Sequence, residues 1–255
     1  MPPSTNGTDT MKSEHVTPQR LQALTEAAAT LLRHIEGQHS PAALAMSFGA
    51  EDMVLLDLVC REAPGITPFT LDTGRLNPET HDLHQQARAR YGVVIEAWYP
   101  EADLVQRWVH NHGINGFYDS RSAREACCYV RKVEPLNRAL AGRRAWITGQ
   151  RRAQSVTRHG LPVEEHDAAH GLAKFNPLAE WSEADVWAYI RHHEVPYNRL
   201  HDQGYPSIGC APCTRAVTVG EDPRAGRWWW EDPTQRECGL HRNPAADAQQ
   251  AAGRQ

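Results

Sequence analysis

The sequence is poor in lysine, has no long apolar run and carries only six cysteines among 255 residues. No stretch approaches the ~20 consecutive apolar residues that a membrane helix needs, which predicts a protein without a membrane span. The first ten residues lack the charged and apolar blocks of a secretory signal, so we expect a cytoplasmic location. In a reducing cytosol, cysteines this sparse favour metal-binding or catalytic thiols over a disulfide scaffold. The net charge of -4 argues against a protein that coats nucleic acid.

Apolar residues recur at helical and strand spacings along most of the chain, whereas residues 1–17 are polar and aperiodic and are predicted to be disordered. The pattern predicts helices at 18–36, 51–62, 77–91 and 182–192, and strands at 42–48, 67–71, 93–98 and 146–149. Ser182 and Asp185 match a capping box at the start of the last helix. Strands that alternate with helices predict an α/β fold with a doubly wound, mostly parallel sheet. We expect one domain at 18–232 and a mobile tail at 233–255.

Three polar loops follow predicted strands, and in open α/β sheets such loops meet at the carboxyl edge, where ligands bind. Their small or polar members are Ser47, Gly49, Glu51 and Asp52 in the first loop, Thr73, Gly74 and Arg75 after Leu71 in the second, and Gly149 in the third. Backbone N–H groups at a helix start suit phosphate or sulfate, and arginine adds a forked donor. Each loop alone is equally typical of turn chemistry, and the two acidic residues also suit a helix dipole. Together the loops predict a nucleotide site, although the first lacks the Gly-Lys-Ser/Thr ending of a Walker loop.

Four cysteines occur in two pairs that are able to close one Cys₄ site, namely Cys127 with Cys128 and Cys210 with Cys213. Such a site holds zinc or an iron–sulfur cluster. Adjacent residues on a helix point ~100° apart, so both members of the first pair reach one centre only if it is large or if the helix end is distorted. Ligand type and geometry together favour an iron–sulfur cluster over zinc.

The two remaining cysteines have opposite surroundings. Cys60 lies on the apolar side of a predicted helix and is expected in the core. Cys238 stands between Arg236 and His241, and cationic neighbours favour the nucleophilic thiolate; the alternative is a surface cysteine without a role.

Arg224 and Arg227 precede a run of three tryptophans, just upstream of Cys238. They form either a solvated basic turn or a clamp for an anion.

In combination, these motifs resemble the assimilatory adenylyl-sulfate (APS) reductases, the iron–sulfur branch of the APS/PAPS reductase family. The resemblance extends from about residue 40 to His241 and is carried by residues 47–52, 71–80, 127–136, 148–152, 174–178, 204–215, 226–230 and 237–241. The double cysteine, the Cys-Ala-Pro-Cys segment and the Glu-Cys-Gly-Leu-His segment are together highly specific. The stretch between Arg158 and Lys174 is shorter than in the family pattern, which we expect to alter only a surface loop.

The resemblance implies a fold like that of the adenine-nucleotide α-hydrolases, the PP-loop class. It implies that Cys127, Cys128, Cys210 and Cys213 hold a 4Fe-4S cluster. It also implies that Cys238 attacks the sulfur of adenylyl sulfate and forms an S-sulfocysteine, from which thioredoxin or a glutaredoxin-like donor releases sulfite. Homo-oligomers are common in the family.

The substrate contacts that the resemblance implies fall into two groups. The first two loops would cradle adenosine and phosphate, with Gly149 beside them. The sulfate or phosphate would contact Lys132, Arg158, Arg224 and Arg227, and we place His241 at the substrate as well. Lys132 would lie between the cluster and the substrate.

Three alternatives stay open at this point. The substrate could carry a 3′-phosphate, as in PAPS. The chain could be a non-catalytic zinc or nucleotide-binding module. A PP-loop enzyme that modifies tRNA is a further possibility, but the chain lacks the Ser-Gly-Gly loop and is weakly acidic.

Overall fold

A computed structural model of the chain describes residues 16–154, 158 and 160–232. Its helices are α1 (Pro18–His39), α2 (Ala50–Glu62), α3 (Pro78–Tyr91), α4 (Ala102–His112), α5 (Arg121–Cys128), α6 (Glu134–Leu140) and α7 (Glu183–His193). Its strands are β1 (Ala42–Met46), β2 (Thr67–Leu71), β3 (Glu96–Trp98), β4 (Ala145–Ile147), β5 (Glu164–Asp167) and β6 (Leu172–Phe175). In this part of the chain, no helix combines the length and apolar composition that crossing a bilayer requires.

The six described strands form one sheet in the order β3-β2-β1-β4-β6-β5. All neighbours are parallel except β5 and β6, which pair antiparallel at one edge. The predicted doubly wound, mostly parallel α/β sheet is therefore confirmed. Because β1 pairs with both β2 and β4, the strand order reverses beside β1, and the crevice at such a switch point is where open α/β sheets bind ligands.

The main core lies between the sheet and α1, α2 and α7. Helix α2 is apolar enough to bury residues on most of its surface, including Met53, Leu55 and Leu58. Cys60 of the same helix is partly buried and packs against this core, and burial raises the pKa of its thiol to about 11. The thiol is thus held in the unreactive neutral form, as expected of a core cysteine.

Some element bounds differ from the sequence prediction. The strand predicted at 93–98 begins only at Glu96, where pairing with β2 starts, and Val94 is left 70% exposed. The β5–β6 hairpin and helices α4 to α6 were not predicted. The hairpin fills the short stretch before Lys174 and adds an edge strand to the sheet.

Candidate functional site

A cavity of about 290 Å³ lies at the carboxyl ends of β1, β2 and β4, at the switch point of the sheet. All three predicted loops contribute to its wall, together with residues from 201–209 and 223–228. The predicted site residues that line it are Ser47, Gly49, Glu51, Asp52, Leu71, Thr73, Lys132, Gly149, Arg158, Arg224 and Arg227. Residues that are distant in sequence therefore meet in one place.

The first loop is closed by a carboxylate of its own chain. Asp52, the third residue of α2, accepts hydrogen bonds from the Ser47 backbone N–H at 2.6 Å, the Ser47 hydroxyl at 2.8 Å and the Gly49 N–H at 3.3 Å. Burial raises the pKa of Asp52 to about 6, against the lowering effect of these hydrogen bonds. The N–H groups of Ser47 and Gly49, which the sequence predicts to bind phosphate, thus already donate to Asp52 within the loop.

Phe48, which lies between Ser47 and Gly49, has a positive φ of 61°, which is uncommon for a residue with a bulky side chain. Its ring is buried, and its centroid lies 5.2 Å from that of His84. The turn is therefore held in a strained conformation by packing, as is common at ligand sites.

The third loop packs directly on the start of α2. Arg151 donates from Nε and Nη2 to Glu51 Oε1 at 2.8 and 2.7 Å. A Cβ atom on Gly149 would lie 2.6 Å from Asp52 Oδ1 and 2.9 Å from Glu51 Cβ, so only glycine fits here without displacing the helix start. Gly149, which the sequence predicts to let a ligand approach the backbone, therefore also allows the close contact between the third loop and the start of α2.

The second loop connects the cavity to the cysteines. The Thr73 hydroxyl lies 3.3 Å from Cys210 Sγ, and Arg131 Nη1 donates to the Thr73 carbonyl at 2.6 Å. Gly74 adopts φ 68°, a conformation that glycine reaches without strain. The side chain of Arg75 extends to the Ile114 carbonyl and Asn115 Oδ1, each at 2.9 Å. Among the described residues, Gly74 and Arg75 are the predicted substrate contacts that stand outside the cavity lining, as do the four predicted cluster ligands.

Five cationic side chains line the cavity: Lys132, Arg158, Arg224 and Arg227, which the sequence predicts, and Arg151, which is paired with Glu51. Arg227 is 8% exposed, donates to the Ser207 hydroxyl and the Ile208 carbonyl at 3.2 Å each, and stacks over the Trp228 ring at 4.8 Å. A cavity with this many cations and low-dielectric walls attracts an anion and concentrates the field on it.

Cys127 and Cys128 are the last residues of α5, and a π-helical segment, Tyr129–Val133, follows at once. This is the kind of distorted helix end that two adjacent ligands were expected to require. Cys210 directly precedes a short 3₁₀ turn of which Cys213 is the last residue, and Cys210 is buried.

The two cysteine pairs are close enough to influence each other electrostatically. Burial, assisted by the negative charge of Cys210, raises the pKa of Cys213 to about 12, while Lys132 and Arg227 oppose this rise. Burial likewise raises the pKa of Cys127, against the opposing effect of Arg131. Lys132 and Arg227 thus stand where they act on both the thiols and the cavity.

Cys238 and His241 lie outside the described residues, so their predicted roles stay predictions. Several lining residues were not predicted, among them Gly209, Arg151 and His201. The sequence does contain a signal for Gly209, because this residue directly precedes the second cysteine pair. His201 had none, since a histidine in a polar turn is unremarkable without its tertiary neighbours.

Comparison with known proteins gives a consistent result. Residues 41–216 match the phosphoadenosine phosphosulfate reductase domain. The chain is 58% identical over 226 residues to the adenosine 5'-phosphosulfate reductase of Allochromatium vinosum, covering 89% of this chain and 88% of that protein.

Solved structures agree on the fold. A phosphoadenylyl-sulfate reductase from Candida auris, in a phosphate complex, superimposes with a TM-score of 0.64 at 29% identity, covering 80% of this chain and all of that one. Yeast FAD synthetase in complex with FAD shares the fold alone, with a TM-score of 0.53 at 13% identity over 80% of this chain and 70% of that one. The family match covers more than half of the sequence, and the chain therefore belongs to the phosphoadenosine phosphosulfate reductase family.

Proposed function

We propose that this enzyme reduces adenylyl sulfate to sulfite and AMP in sulfate assimilation, and that thioredoxin or a similar dithiol supplies the electrons. The observation that supports the proposal is that Lys132 and Arg227 line the cavity at the sheet switch point and are near enough to Cys213 to oppose the rise of its pKa. The names of the relatives identify the same substrate.

The chemistry requires a thiolate to approach a group that is already negative. In the proposed first step the Cys238 thiolate attacks the sulfur of adenylyl sulfate. An S–S bond forms, the bond from sulfur to the bridging oxygen breaks, and AMP leaves with the electron pair as a phosphate. Cations aimed at the sulfate and phosphate oxygens stabilise the charge that develops, and each such donor is worth about 10²–10³ in rate. Lys132, Arg158, Arg224 and Arg227 line the cavity and would fill this role.

In the second step a donor thiolate attacks Cys238 Sγ and expels sulfite, leaving a mixed disulfide. The donor's second thiol then closes its own disulfide and regenerates Cys238 as a thiol. Sulfur gains two electrons as it passes from sulfate to sulfite, and the donor dithiol loses two. The balance closes without any other reductant.

The four paired cysteines fit a 4Fe-4S cluster. The donor set consists of thiols, which iron–sulfur clusters use, and the π-helical segment lets neighbouring residues serve as ligands. Among the described residues, no three His, Cys, Asp or Glu side chains are grouped to hold a metal ion. Cys127, Cys128, Cys210 and Cys213 would hold the cluster, which would supply an electrostatic and structural influence on Lys132 rather than electrons for each turnover.

The first loop supports adenylyl sulfate over its 3′-phosphorylated analogue. Its N–H groups at Ser47 and Gly49 are engaged by Asp52, and Glu51 adds a second carboxylate to the cavity wall. A 3′-phosphate bound at this loop would meet Asp52 and Glu51, the second already paired with Arg151, and backbone donors that are already engaged. We expect a higher kcat/KM for adenylyl sulfate than for PAPS.

In this proposal, residues 18–232 form the domain that binds nucleotide and cluster, and residues 233–255 bring Cys238 to the cavity in a cytoplasmic enzyme. A homo-oligomer, as is common in the family, is compatible with it. His241, three residues after the nucleophile, would assist at the same anion.

The decisive experiment is mass spectrometry after mixing the purified protein with adenylyl sulfate in the absence of reductant. We expect an adduct with the mass of an SO₃ group on Cys238 and one equivalent of AMP. The Cys238→Ser variant is the control and should give neither product. A wild-type protein that releases AMP without an adduct would refute the covalent mechanism.

A further inference from the structure

A buried ion pair links the cysteine-bearing helix to the last described residues of the chain. Arg124 of α5 donates from Nε and Nη2 to the two carboxylate oxygens of Glu231, each at 2.8 Å. The side chains of Arg124 and Glu231 are 1% and 8% exposed. Paired, parallel hydrogen bonds of this kind fix orientation as well as distance.

The same guanidinium makes two further contacts. It stacks over the Trp228 ring, with Cζ 4.9 Å from the centroid, and Cys128, one helical turn away, is close enough to interact with its charge. A single side chain therefore joins a proposed cluster ligand, the tryptophan segment and Glu231.

The location of Glu231 in the sequence gives this link its meaning. Cys238 follows seven residues after Glu231. Seven residues of extended chain span at most about 25 Å, so the position of Glu231 limits the volume that Cys238 is able to search. We propose that Arg124 is a positioning residue, which holds Glu231 in place so that the segment carrying Cys238 starts beside the cavity. This inference rests on the proposed role of Cys238.

A purely stabilising role is a weaker explanation for the pair. Desolvating two charges costs about as much as their attraction returns, and apolar replacements of buried ion pairs are often neutral or stabilising. The fixed geometry is what such a pair supplies beyond an apolar contact. Here the pair fixes the position of Glu231, seven residues before Cys238 in the sequence.

The expected effect is mainly one of orientation. Without the pair the chain would still be held at Trp230, whose ring centroid lies 4.5 Å from that of Tyr118, so eight residues instead of seven would separate Cys238 from the nearest of these contacts. The effective concentration of a tethered group falls roughly as the −3/2 power of tether length, which gives only about a 1.2-fold loss, and the rest of the expected loss comes from the freed orientation of Glu231.

The test compares wild type with Glu231→Gln, which keeps the shape of the side chain but not its charge, and with Arg124→Lys, which keeps the charge but not the fork. The matched control is Arg121→Gln, which removes an exposed ion pair with Glu125 on the same helix. Three quantities are measured on the full chain: amide hydrogen exchange in residues 228–232, the single-turnover rate of adduct formation on Cys238, and the affinity for AMP.

We expect at least tenfold faster exchange in residues 228–232 for Glu231→Gln, at least twofold slower adduct formation, and AMP affinity within twofold of wild type. Arg124→Lys should show the same pattern more weakly, and it replaces Glu231→Gln if that variant does not fold. Unchanged exchange would show that the pair is no anchor, and faster exchange with an unchanged adduct rate would show that the anchor does not position Cys238. Parallel loss of AMP affinity would place the effect in the nucleotide site instead. If wild type forms no adduct, the proposed function fails and the positioning role falls with it, while the exchange data still decide whether the anchor exists.

Discussion

Gly209 makes room for Arg227, and filling that room with one methyl group should disable the cavity. A Cβ atom at this position would lie 2.7 Å from Arg227 Cζ and 3.1 Å from Arg227 Nε. The guanidinium has little freedom to move away, because it is buried, bonded to Ser207 and Ile208, and stacked over Trp228. Gly209→Ala therefore has to shift either the arginine or the backbone next to Cys210.

The expected loss of stability is small, whereas the expected loss of rate is large. Overpacking of a well-packed site costs about 1–3 kcal/mol of unfolding free energy, which should leave the protein folded. Loss of one charged donor at the developing charge costs about 10²–10³ in rate. We therefore expect kcat/KM for adenylyl sulfate to fall at least a hundredfold, with a melting temperature lower by only about 2–12 °C.

The assay is sulfite release with thioredoxin as reductant, paired with calorimetry. Gly37→Ala is the matched control, since a Cβ atom there meets nothing within 4 Å and the position lies in α1, where alanine is favoured. A double variant that combines Gly209→Ala with Arg227→Ala tests whether the loss of activity acts through Arg227. If Gly209→Ala acts through Arg227, the double variant should be no slower than Arg227→Ala alone. Activity within twofold of wild type, or a fully additive double variant, would refute this reasoning.

Three further changes test the rest of the site. Lys132→Ala should lower turnover sharply while iron content and visible absorbance stay at wild-type levels, and unchanged turnover would contradict the role of this lysine. Gly149→Ala should lower the melting temperature by several degrees, because its Cβ would meet Asp52 and Glu51, and calorimetry that shows no change would exclude the tight contact. Asp52 has a pKa raised to about 6 by burial, so its contribution to stability is full below about pH 4 and is lost as pH rises through 6. Relative to wild type, Asp52→Asn should gain about 2 kcal/mol of unfolding free energy between pH 4 and pH 7, and parallel denaturation curves at the two pH values would contradict this.

Local patterns were sufficient for much of the fold. Strand β2 has the predicted bounds of 67–71, and α7 begins at the predicted capping box, where Ser182 accepts a hydrogen bond from the Asp185 N–H and Asp185 from the Ser182 N–H. Signals of this kind are complete within a few residues, so tertiary contacts do not change them. Strand β3 was predicted too long because its start depends on pairing with β2 rather than on its own residues.

The site was harder to predict because its contacts join distant segments. Arg75 follows a strand and was assigned to the ligand, but it binds the segment at 114–115, whose position no local pattern reveals. The sequence predicts Asp52 as a residue of the substrate site, with a role as partner for the helix dipole as the alternative. Its main partners proved to be the N–H groups of the loop before it, which face it only because Phe48 takes a positive φ.

The charges in the cavity also determine which way a nucleotide sulfate should lie. At the start of α2, Glu51 is paired with Arg151 and Asp52 is satisfied by the first loop, so this side of the cavity has little net attraction for an anion. On the cysteine side, Lys132 and Arg227 act on Cys213, which places two cations toward the thiols. Since opposite unit charges at 4 Å attract by about 4 kcal/mol near a protein surface, the anionic end of the substrate should face the cysteines. The reverse orientation would put sulfate against two carboxylates and leave the cations facing adenine. In the proposed mechanism, this asymmetry would bind the anion and turn its sulfur toward the paired cysteines.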